Sequence, residues 1–150
     1  MRTKTLLTTT LILFGLGSSP AFADENADRC ALYGGLGASF SDFMLPLTLQ
    51  DLVNVIRGED AALMTRLSTE LIASLEASEL ATLMRIPADE NAALSEASGM
   101  VAMNLLMTGA ANSPASVKRT MVDTCLDVGA QTIIDNQRRS NAALDVSMGK

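Results

Sequence analysis

Cys30 and Cys125 are the only cysteines of a 150-residue chain, and they stand near its two ends. If they pair, the fold must bring those ends together. The bridge would close a loop of roughly ninety residues, for which chain-entropy reasoning gives about 4 to 5 kcal/mol as an upper value. One pair permits one intramolecular connectivity. Their separation excludes a Cys-x-x-Cys redox motif, and the competing reading is two independent reactive thiols.

Oxidation depends on the compartment, and the first residues bear on that. Met1-Arg2-Thr3-Lys4 is basic, Leu6 to Leu16 is an apolar run, and Gly17-Ser18-Ser19-Pro20 leads into Ala21-Phe22-Ala23. This order, with small residues at minus three and minus one, predicts a signal peptide over residues 1–23, cut after Ala23. The eleven-residue run contains three Thr, and a spanning helix needs roughly twenty apolar residues. No later stretch is apolar for long enough to cross a bilayer. A periplasmic or secreted chain meets oxidising conditions, so a Cys30–Cys125 disulfide is expected.

Removing 23 of the 150 residues leaves 127, and losing Arg2 and Lys4 leaves nine basic against 17 acidic groups, a formal charge of −8. A nucleic-acid binder needs a clustered positive footprint. Here only Lys118/Arg119 and Arg138/Arg139 are adjacent, which argues against nucleic acid and anionic lipid surfaces as partners. The chain has no histidine, which excludes Ser-His-Asp triads, Cys-His dyads and His-ligated zinc. Its composition, 48% hydrophobic and 19% charged, calls for a packed core rather than disorder.

Strand-like alternation is sparse, while Ala, Leu, Met and Glu recur at helical spacing. A first helix is predicted over residues 26–44. At about 100° per residue, Cys30, Tyr33, Leu36, Phe40, Phe43 and Met44 share one broad side, and Ala31, Gly35, Ala38 and Asp42 the other. Gly34, Gly35 and Gly37 each weaken helicity by roughly 1 kcal/mol, which close approach of a neighbouring helix would justify.

A Thr48/Asp51 capping pattern opens a helix over 49–57, closed by Gly58. Leu63, Leu67, Leu71 and Leu75 mark the next, over 60–77, and residues 79–85 form a short helical turn. Pro87 begins a helix to Thr108, apolar over much of its girth and expected at the bundle centre. Ser113 and Pro114 start a last helix running to Arg138, where Arg138 and Arg139 would complement its C-terminus. The expected fold is all-α: one domain of four or five helices over residues 24–139. The disulfide would tie its N- and C-terminal helices, and a flexible, frayed tail would occupy 140–150.

Few residues carry recognisable chemistry. Tyr33, Phe40 and Phe43 are a candidate binding face for an apolar ligand or partner; the plainer reading makes them core beside the disulfide. Met100, Met103 and Met107 place three thioethers on one face, a pattern that can hold Cu(I), but methionine is also an adaptable core filler and packing is the expected role.

The acidic pairs Glu59/Asp60, Glu76/Glu79, Asp89/Glu90 and Asp123/Asp127 lack the spacing of a calcium loop and read as solvated faces, with Arg119 a partner for Asp123. Lys118 follows Ser113 and Ser116 without Ser-x-x-Lys spacing. Gly34-Gly35-Leu36-Gly37-Ala38 lacks the strand and Gly-Lys-Ser/Thr of a phosphate loop.

No catalytic, cofactor-binding or metal-ligating residue is therefore nominated. The expectation is an exported, non-catalytic protein that binds a protein partner or small apolar ligand in the envelope. One alternative is a pH-responsive periplasmic chaperone, because protonating seventeen acidic groups would swing the exported charge from −8 toward +9 and loosen the fold by repulsion. The other is a carboxylate-dependent enzyme.

Overall fold

The computed structural model describes residues 20–149, and among them are seven α-helices and no strand. They are α1 (Pro20–Met44), α2 (Leu49–Arg57), α3 (Ala61–Ala73), α4 (Ala77–Arg85), α5 (Ala88–Thr108), α6 (Pro114–Val128) and α7 (Ala130–Ser147). The expected leader lies outside the described residues as far as Ser19, and its last four positions, 20–23, open α1.

The helix boundaries follow local chemistry. Thr48 and Asp51 form a reciprocal capping box at α2, in which hydrogen bonds from Thr48 hold the Asp51 carboxyl below its usual range. Gly58 and Gly109 end α2 and α5 with φ of 65° and 71°, the left-handed conformation that glycine adopts without strain. The Asp60 carboxylate accepts the Leu63 N–H at the start of α3, and Ser113 caps α6 with Pro114 in its first turn.

The bundle centre is α1, not α5. Both of its faces are covered, because α1 packs against α3, α4, α5, α6 and α7. Its aromatic side meets α5, and its glycines admit α4 and α6. A Cβ on Gly34 would lie 2.9 Å from the Lys118 carbonyl oxygen of α6, and one on Gly35 would lie 2.7 Å from the Glu79 Oε1 of α4. Cys30 and Cys125 form the expected disulfide, wholly buried among Leu32, Leu94, Val117, Met121 and Ile134.

Seven helices replace the expected four or five, because the predicted short turn over 79–85 is the full helix α4 and the predicted last helix is broken. Gly129 has φ 89° and ψ 135°, a conformation that L side chains rarely adopt. It closes α6 by donating its N–H to the Cys125 carbonyl and lets α7 start in a new direction. The Asn26 side chain of α1 caps that start by accepting the Ala130 N–H at 2.9 Å.

The disulfide consequently ties the first helix to the sixth of seven, and Arg138 and Arg139 fall inside α7 rather than at a helix end. The predicted frayed tail is helical through Ser147. No described helix is long and apolar enough to cross a membrane.

Candidate functional site

Apolar packing divides into two clusters. The larger surrounds the disulfide and includes Leu32, Tyr33, Leu36, Leu94, Val117 and Met121. The smaller buries Phe43, Met44, Val55 and Leu67, with Phe40, Met64 and Met103 only partly covered. Beside the smaller cluster lies a cleft of about 660 Å³.

Phe40 of α1 and Gly99 of α5 form its floor. A Cβ on Gly99 would sit 3.2 Å from the Phe40 ring, a tight approach that the ring would have to relieve by shifting. Val55 and Ile56 of α2, with Met64 and Leu67 of α3, form one wall. Met100 and Met103 of α5 and Leu144 of α7 form the other, ending at Met148. Met100 is 60% exposed and Leu144 57%, so this wall faces open space.

The polar groups of the cleft belong to α5 and α7. Glu96 accepts a hydrogen bond from Asn141 Nδ2 at 2.6 Å and from Gln137 Nε2 at 3.4 Å, while Gln137 also donates to Asn141 Oδ1 at 2.9 Å. Ser95, Ser140 and Asp145 complete the lining, which among the described residues contains two carboxylates and no lysine or arginine. A smaller concavity of about 250 Å³ adjoins it, sharing Met100 and Gln137 and bounded by Tyr33. Burial pushes the Tyr33 phenol up to about 12.

The three aromatics sit in different surroundings. Tyr33 and Phe43 are each 3% exposed and belong to different clusters, and Phe40 alone lines the large cleft. Phe43 instead carries the Arg66 guanidinium 5.0 Å from its ring centroid. The methionine trio meets its expected packing role only in part. Met103 packs against the smaller cluster and, with Met100, lines the cleft; Met100 is 60% and Met107 80% exposed, whereas Met44 and Met121 are buried in the core.

Two charge clusters went unrecognised in the sequence. Glu79 is 3% exposed and sits against Gly35, with Lys118 Nζ at 2.6 Å from its Oε1 and the Glu76 N–H bonded to its Oε2. Lys118 also reaches Glu76 at 2.9 Å. Burial pulls the Lys118 ammonium down, yet the hydrogen bonds and charges of Glu79 and Glu76 together hold it above its ordinary value.

Nearer the start of α1, Arg29 lies 2.9 Å from both Glu25 and Glu90 and donates to Gln131. Its Nε and the Glu90 Oε2 nevertheless lack an aligned hydrogen bond, so the Arg29–Glu90 contact is an ion pair alone. The signal for the Glu79 cluster was Gly35 itself, whose missing side chain leaves space for a carboxylate.

The remaining candidates have structural partners. Ser113 and Ser116 bond to each other across the α6 cap, and Lys118 faces Glu76 and Glu79. Asp89 pairs with Arg138, and Glu59 lies 3.8 Å from Arg57. Asp123 and Asp127 are exposed, and no ion pair joins Arg119 to Asp123 among the described residues. Among the described residues no group of three or more Asp, Glu or Cys side chains is placed to hold a metal ion. No family model, curated protein or solved structure matches the chain.

Proposed function

We propose that the protein is an exported, non-catalytic binder whose large cleft takes a small apolar molecule. The observation that carries this reading is the concavity floored by Phe40 and walled by Met64, Met100, Met103 and Leu144. Its volume of about 660 Å³ lies inside the range of small-molecule sites, roughly 300–1,000 Å³. That size and concavity favour a small ligand over a broad protein interface, which typically buries about 800 Å² of each partner. Methionine walls suit the task, because unbranched thioethers repack around differently shaped apolar bodies.

Export is supported by the leader pattern and by a buried disulfide, a bond that persists in oxidising compartments. The non-catalytic reading is supported by the candidate nucleophiles and bases. Ser113 and Ser116 are engaged in a helix cap, and Lys118 is held by two carboxylates.

Calorimetric titration with decanol, a neutral apolar probe, tests the reading. Saturable binding at one site is expected, and the double substitution Met100→Ser with Leu144→Ser should weaken it about tenfold by removing apolar contact area. Both side chains are more than half exposed, so the fold should survive the change. Absence of saturable uptake, or equal affinity in the double variant, refutes the reading.

A further inference from the structure

We infer that the cleft selects a cationic amphiphile, a ligand with an apolar body and a positively charged head. This rests on the cleft being the binding site and adds the chemical class of its occupant. The apolar body belongs against Phe40, Met64, Met103 and Leu144. The head belongs on the α5/α7 side, where Glu96 and Asp145 supply negative charge and the described lining holds no lysine or arginine.

The partners of Glu96 are the neutral amides of Gln137 and Asn141. They orient its carboxylate without cancelling its charge. No ion pair reaches Glu96 among the described residues, in contrast to Glu79, Glu90 and Asp89. The sixteen lining residues therefore pair an apolar trough with an acidic rim that no ion pair compensates among the described residues. A fatty carboxylate would meet like charge at that rim, an alcohol would gain little from it, and a quaternary or primary ammonium would be attracted. The exported charge of −8 acts in the same direction over a longer range and must be separated from the local effect.

Three probes with the same apolar chain make the test: decyltrimethylammonium, decanol and decanoate, titrated into the protein below their micelle concentrations. The cation should bind about tenfold more tightly than the alcohol, the size expected of one partly screened charge interaction, and decanoate should bind most weakly. Raising the salt concentration should narrow the gap. Glu96→Gln with Asp145→Asn should bring the cation to parity with decanol.

Asp123→Asn with Asp127→Asn changes the net charge equally on exposed positions of α6 outside the cleft, and it should leave the preference intact. Equal binding of all three probes overturns the inference while the cleft remains a binding site. Failure of all three to bind overturns both readings. A preference lost equally in the two double variants assigns the effect to overall charge and also overturns the inference. A short lysine-rich amphipathic peptide serves as the macromolecular comparator: binding by the peptide but not by the ammonium overturns the small-molecule class.

Discussion

The two ends of α1 are packed by different means. Around Cys30 the helix is sealed on every side: glycines let α4 and α6 approach its backbone, a disulfide fastens α6, and a buried Glu79–Lys118 pair closes the seam. Around Phe40 the same helix faces thioethers and partly covered aliphatic chains, with a cleft left between α3 and α7. Close packing gives the first region rigidity, and incomplete packing gives the second room for a ligand.

Substitutions should separate the halves by the size of their effects. Replacing Cys30 and Cys125 together with Ala should lower unfolding stability in denaturant titrations by up to about 4 kcal/mol, with decanol affinity of the folded fraction unchanged. Truncating buried Met121 to Ala should remove about 3 kcal/mol. Met100→Ala, on the open wall, should change stability by no more than about 0.5 kcal/mol. Equal losses at these two methionines would erase the distinction between the regions.

Gly35→Ala should destabilise by about 2 kcal/mol, because its Cβ would collide with the buried Glu79 carboxylate. Combining it with Glu79→Ala should recover part of that loss, a non-additivity measurable by a double-mutant cycle.

Tyr33 acts only at alkaline pH. Its phenol titrates near 12 in the folded chain, above the ordinary value of 10. Its contribution is thus fully present below pH 10 and is lost as pH rises toward 12, by about 1 to 2 kcal/mol. Lys118, also held above its ordinary value by Glu79 and Glu76, weakens the fold in the same alkaline direction. Tyr33→Phe should therefore remove part of the alkaline loss and leave a remainder. Tyr33 is the only tyrosine, so phenolate absorbance during alkaline titration checks its value directly.

The features legible in the sequence were those set by near neighbours. Thr48 with Asp51, Ser113 with Pro114, and Gly58 and Gly109 mark helix ends because caps and stops act within a turn or two. The cysteine pairing was legible because two cysteines allow one bridge. Gly129 was passed over, since a single glycine within an apolar-periodic stretch also fits a continuous helix; the break is stabilised by Asn26, more than a hundred residues away.

The cleft was illegible for a similar reason. Met100 and Phe40 look like core at the level of spacing, and only the placement of α7 and α3 decides which apolar faces stay uncovered. Glu79 reads as a solvated acid until Gly35 and Lys118 are brought to it.

Methionine methyl resonances test the central division most directly. Of the eight methionines that follow the expected leader, Met64, Met100, Met103 and Met148 line the cleft, while Met44, Met84, Met107 and Met121 do not. On titration with decyltrimethylammonium the first four methyl signals should shift in a saturable manner, and the second four should stay within the noise. Shifts led by Met84, Met107 or Met121, or equal shifts at all eight, would contradict the account.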